Sequence, residues 1–122
     1  VEHIERARKI VPIVSVQNRY NFADREWDHV VDYCERNEIA FIPWFPLGAG
    51  AVAGRLLERI AKAHQGKPIQ VALAWLLKRS PVMLPIPGTT SIVHLEENVQ
   101  AASLQLADDE YLELTGIAEL AS

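Results

Sequence analysis

The chain has 122 residues and a formal net charge of −4, enough for one ordinary domain and about half of the roughly 250 residues used by a complete eight-fold β/α barrel. Hydrophobic residues make up 49% and charged residues 23%, the balance of a folded chain; the mild acidic surplus argues against nucleic-acid or membrane-surface partners, which need clustered Lys and Arg. A single cysteine, Cys34, rules out an internal disulfide and suits a cytoplasmic setting, and no apolar run approaches the ~18 residues of a membrane span.

Helix and strand signals alternate along the chain. Glu2 to Ile10 reads as a short helix with Ile4 and Ala7 inward. The β-branched run Ile13 to Gln17 reads as a strand. Asn21 to Asp24 supplies a turn and a helix cap, and from Asp24 to Asn37 the apolar residues Trp27, Val30, Val31 and Cys34 fall on one helical face. Ile39 to Ile42 is a second strand, ended by Pro43 and Pro46, and a glycine-rich loop, Leu47 to Gly54, follows it. Arg55 to His64 is helical through Leu56, Leu57, Ile60 and Ala61. Pro68, tolerated at a first helical position, opens a helix to about Arg79. Val82 to Ile86 reads as a third strand, closed by Pro87 and Gly88. Thr90 or Ser91 then caps a helix through about Ser103 with Leu95, Val99 and Ala102 inward. A final helix, about Asp108 to Leu120, buries Leu112, Leu114 or Ile117. Apolar strands separated by helices imply a parallel sheet with helices outside it. Val1 in place of Met at the start suggests a fragment or a processed chain.

Ligands of parallel β/α folds meet the carboxyl ends of the strands and the loops beyond them. Those loops are Gln17 to Asn21, Trp44 to Gly50, and Pro87 to Ser91. In the third, backbone N–H groups and hydroxyls at a helix start suit a phosphate; simple capping by Thr90 or Ser91 explains the same residues. The spacing of Gly48, Gly50 and Gly54 invites a dinucleotide-fold reading, but that fingerprint needs another strand soon after the helix, and a second helix stands there instead. Trp44 offers a flat face to a planar ring, or fills a core. His3, His29, His64 and His94 show no metal-ligand spacing with Cys34. Tyr20 is a weak candidate acid, because Arg19, its neighbour in sequence, points the other way on an extended chain. Cys34, on the apolar helix face, reads as an inert core thiol.

At these loops the residues resemble a known family. The segments Val14 to Asn21, Ile42 to Gly50, Leu84 to Ser91 and His94 to Asn98 are similar, in order and approximate spacing, to the aldo/keto reductase superfamily, and so is the helix Pro68 to Leu76. The resemblance covers essentially all of residues 1–122, read as a single domain. It implies an α/β fold: a partial (β/α)8 TIM barrel, strands six to eight with their helices and the C-terminal helix. It also implies NADP(H) as cofactor, with NAD(H) as the alternative, and reduction of aldehydes or ketones. By this resemblance Gln17 holds the nicotinamide carboxamide and Trp44 stacks on the nicotinamide ring. Phe45, Pro46, Leu47, Gly48 and Ala49 follow the ribose and pyrophosphate, with Arg55 against the pyrophosphate. Gly88, Thr90 and His94 surround the adenosine 2′-phosphate, and Glu97 and Asn98 meet the adenine.

Two positions depart from the family pattern: Phe45 stands where many relatives carry Ser, and His94 where Arg or Gln is usual. The family's catalytic Asp, Tyr, Lys and His come from its first four strands, and none of those motifs occurs in this sequence. The chain is therefore expected to be inactive alone and to need a missing N-terminal half-barrel. The rival expectation is a non-catalytic half-barrel that binds or self-associates through exposed strand edges, with Val, Ile and Phe side chains uncovered.

Overall fold

The structure, a computed structural model, describes residues 1–44 and 51–120, with helix residues 51, 52, 119 and 120 described by backbone alone. The described elements are α1 (Glu2–Arg8), β1 (Ser15–Arg19), α2 (Asp28–Arg36), β2 (Ala40–Trp44), α3 (Ala51–Ala63), α4 (Pro68–Arg79), α5 (Ile92–Gln100), a 3₁₀ turn (Ala101–Ser103) and α6 (Asp108–Leu120). The alternation expected from the sequence is present, with shifted ends. β1 starts two residues later than the β-branched run. Helix α2 starts four residues later than expected because the Asn21 side chain closes a turn of its own, accepting from the N–H groups of Ala23 and Asp24 at 2.9 Å each.

β1 and β2 run parallel, with Ser15 opposite Ala40 and Arg19 opposite Trp44. The third strand expected over Val82 to Ile86 is not a strand. It shrinks to one parallel bridge between Phe41 and Met83, in which Phe41 N–H donates to Val82 C=O and Leu84 N–H to Phe41 C=O, both at 2.8 Å. The next rung would need an N–H from the residue two beyond Phe41, and that residue is Pro43, which has none. Pro43 itself was expected to end β2. It sits inside the strand, because its ring replaces a donor on the side away from β1.

One face of this small sheet is covered by helices. Tyr20, Phe22, Phe41 and Trp75 are fully buried there. Tyr20 meets Phe41 edge-on at 5.5 Å, Phe22 meets Trp75 at 6.3 Å, and Trp75 stacks on Tyr111 of α6 at 5.8 Å. The Trp75 indole N–H donates to Thr115 Oγ1 at 3.0 Å, so α6 is held by a polar contact as well as by packing. Phe41 belongs to this core, so the uncovered strand side chains expected from the sequence do not include it.

Two helical faces depart from the expected packing. Leu95, Val99 and Ala102 are exposed, and Ala101 is the inward residue; α5 turns its apolar stripe outward because its inner side is fixed to α4 by polar contacts. On α6, Leu114 is buried and Leu112 is exposed.

Candidate functional site

The open face of the sheet carries the first part of the site. Residues opposite each other in a parallel pair share a face, and alternate residues point to opposite faces. Ser15, Gln17, Arg19, Ala40, Ile42 and Trp44 therefore lie on one face, away from the buried Phe41 and Pro43. Gln17 pairs in register with Ile42, two residues short of Trp44. One strand spacing and two residues of rise set Gln17 and Trp44 about 8 Å apart along the backbone. Trp44 is 46% exposed, so it is not a core tryptophan, and its ring is open to a ligand.

The second part is a cleft of about 540 Å³, a volume in the range of small-molecule sites. Gly88, His94, Glu97 and Asn98, four residues expected from the resemblance, line it together with Thr89. Of the liners outside the expected set, three lie outside the third loop and the segment leading into it as well: Lys67, Pro68 and Ile69 at the start of α4. Their distance in sequence from the third loop hid them; only the packing of α4 on α5 brings them there. That packing is polar. The buried Gln70 accepts from the Lys67 backbone N–H at 2.9 Å and donates through Nε2 to the Glu97 carbonyl at 2.9 Å. The Lys67 ammonium pairs with the Glu97 carboxylate.

The two parts share one end of the sheet. Trp44 lies three residues beyond Phe41, and Ile86 three beyond Met83, the two residues joined by the parallel bridge. The carboxyl ends of β1, β2 and the 82–84 segment thus face the same way, and the cleft begins at Ile86. A Cβ added at Gly88 would meet nothing within 4 Å, so the space beside it is free. The polar and aromatic groups, an amide at Gln17, an aromatic face at Trp44, the Thr89 hydroxyl and the Lys67 ammonium at the cleft and a carboxylate at Glu97, fit a nucleotide with a planar ring at one end and a phosphorylated ribose at the other.

Other expected residues fall elsewhere. Thr90 and Arg55 are exposed and do not line the cleft. Ser91 is the cap of α5, its Oγ accepting from His94 N–H at 3.4 Å, while Thr89 Oγ1 accepts from Ser91 N–H at 3.1 Å. Phe45, Pro46, Leu47, Gly48 and Ala49 lie outside the described residues. Tyr20 is buried, donates to Asp28 and accepts from Arg79 Nε at 3.2 Å. Burial, and then the bond to Asp28, push its phenol well above the ordinary range, so it holds the fold and cannot act as an acid. Burial likewise raises the Cys34 thiol. Among the described residues no group of three or more His, Cys, Asp or Glu could hold a metal, and no helix is long and apolar enough to cross a membrane.

The sequence profile described as "Aldo/keto reductase family" matches residues 1–119. This chain belongs to the aldo/keto reductase family. It is 48% identical over 116 residues to an uncharacterized oxidoreductase of Schizosaccharomyces pombe, a match covering 93% of this chain and 38% of that protein. It is 45% identical over 116 residues to the pyridoxine 4-dehydrogenase of Escherichia coli, covering 94% of this chain and 41% of that protein. Among solved structures it superposes on a thermostable aldo-keto reductase in complex with the inhibitor epalrestat. That match has a TM-score of 0.85 and 32% identity, and covers 93% of this chain and 43% of that one. Another match, 25% identical with a TM-score of 0.77, is a protein in complex with NADPH. The chain thus spans about two-fifths of the length of the relatives it matches, and its fold is a part of the (β/α)8 barrel of an aldo-keto reductase.

Proposed function

We propose that this chain is the cofactor-binding portion of an aldo/keto reductase that reduces aldehydes or ketones with NADP(H), with NAD(H) as the alternative, in the cytoplasm. The reading rests on one observation above all: Gln17 and Trp44 share the open face of two parallel strands, and the cleft opens beyond the 82–84 segment, at the end of the sheet where Trp44 closes β2. Gln17 would hold the nicotinamide carboxamide and Trp44 the ring. Phe45 to Ala49 and Arg55 would follow the ribose and pyrophosphate, and Gly88, Thr90, His94, Glu97 and Asn98 would take the adenosine end. Bound there, the cofactor supplies the hydride. The proton for the developing alkoxide must come from elsewhere, since Tyr20 is sealed in the core. Catalysis therefore requires the remaining three-fifths of the barrel, and the chain alone is inactive. The likeness to a pyridoxine 4-dehydrogenase supports alcohol–aldehyde interconversion as the reaction class.

Trp44 is the exposed one of three tryptophans; Trp75 is fully buried and Trp27 is partly buried. NADPH added to the protein should quench tryptophan fluorescence, and Trp44→Ala should abolish most of that quenching. Quenching that survives the substitution unchanged would remove the stacking role.

A second reading, association with another copy, is favoured by the exposed Ile10, Val14, Ile86 and Val99. Sedimentation of the isolated chain should show self-association in that case; a stable, folded monomer contradicts it.

A further inference from the structure

We propose that Lys67 is a specificity-determining residue of this site, its ammonium recognising the 2′-phosphate that distinguishes NADP(H) from NAD(H). The inference rests on the nucleotide reading above and extends it to a residue outside the three rim loops. Lys67 stands immediately before α4 and lines the cleft from that side, with Gly88, Thr89 and His94 lining it from the third loop and α5. It is the one lysine or arginine among the described residues that lines the cleft.

The state of its side chain matters. An ammonium has three donors and a carboxylate takes one of them. The Lys67 side chain is 56% exposed and that of Glu97 16%, so the pair is graded from an inner carboxylate to an outer ammonium. The carboxylate is placed to accept from an amine or hydroxyl group. The ammonium is placed to donate its remaining N–H groups to an anion arriving at the mouth. Pairing with Glu97 also restrains a long side chain before the ligand arrives, which reduces the ordering cost of binding. The neighbouring polar liners Thr89 and Asn98 are uncharged, and a doubly charged phosphate is best met by a permanent cation. Lys67 supplies that cation. A nucleotide without the 2′-phosphate has nothing to offer it, so the effect of removing its charge should be confined to the phosphorylated ligand.

The test uses adenosine nucleotides that reach the cleft without the nicotinamide pocket or catalysis. Binding of 2′,5′-ADP and of 5′-AMP to the 122-residue chain is measured by calorimetry, for the wild type and for Lys67→Met, Lys67→Thr and Lys67→Arg. Threonine is a favourable residue before a helix, so Lys67→Thr keeps the start of α4 intact should the methionine variant fold poorly. The wild type should prefer 2′,5′-ADP. Lys67→Met and Lys67→Thr should weaken 2′,5′-ADP about tenfold or more while moving 5′-AMP less than twofold, and Lys67→Arg should keep most of the preference. Equal weakening of both nucleotides would mark a merely structural residue and overturn the proposal, as would no effect on either. Failure of the wild type to bind either nucleotide would overturn the nucleotide reading itself, and this proposal with it.

Discussion

Tyr20 sits where β1 hands over to the turn before α2, and its hydroxyl ties three elements together. It donates to Asp28 at the start of α2 and accepts from Arg79 at the end of α4, whose guanidinium also reaches Asp32 at 2.7 Å. A buried network of this kind is costly to leave half-made. Tyr20→Phe removes the shared hydroxyl and should lower stability by about 1–2 kcal/mol in denaturant unfolding at neutral pH. The same residue sets an alkaline limit. Its phenol is held neutral in the folded chain above the ordinary value of 10.0, while the unfolded chain ionises at that value. The stabilisation is complete below about pH 10 and is lost as pH rises towards the higher folded value. Unfolding free energy should therefore fall between pH 10 and 12, by up to about 1.4 kcal/mol per pH unit from this group. The fall should be shallower in Tyr20→Phe; an identical slope in the two proteins would contradict the assignment.

At the scale of elements, what the sequence reveals depends on how local its cause is. Helix α4 is legible to the residue because Pro68 marks its first position and Ser80 and Pro81 its end. The third strand is not legible, because Val82 to Ile86 has the composition of a strand and only its neighbour forbids the ladder: Pro43, some forty residues earlier, lacks the donor. Helix α5 fails for a different reason. Its stripe of Leu95 and Val99 has the spacing of an inward face, yet both residues are exposed. The inner side is instead decided by Gln70, whose amide reaches the Glu97 carbonyl. The site divides in the same way. The positions of Trp44, at the end of β2, and of Gly88 and His94, around the start of α5, are legible from a strand end and a helix start, whereas Gln17 falls inside β1 and Glu97 and Asn98 within α5, and only the resemblance names them. Lys67 is not legible, since nothing in its local sequence connects it to α5.

For the whole molecule, most of the large apolar residues left uncovered among the described residues lie at two margins. Ile10, Val11 and Val14 flank β1, and Leu84, Ile86, Ile92, Val93, Leu95 and Val99 lie along and beyond the 82–84 segment. A three-segment arc with one margin at each end, and an open inner face bearing Gln17, Ile42 and Trp44, is the shape left when part of a closed barrel is taken alone. Relatives more than twice as long supply what would close it. On the reading proposed above, the nucleotide would lie with its nicotinamide over the sheet at Gln17 and Trp44 and its adenosine in the cleft. The most direct measurement is a crystal structure of the protein with NADPH bound. The nicotinamide ring should lie on Trp44 with its carboxamide at Gln17, and the adenosine should lie between Lys67 and Asn98. Adenosine bound outside that cleft, or a nicotinamide ring remote from Trp44, would contradict the account.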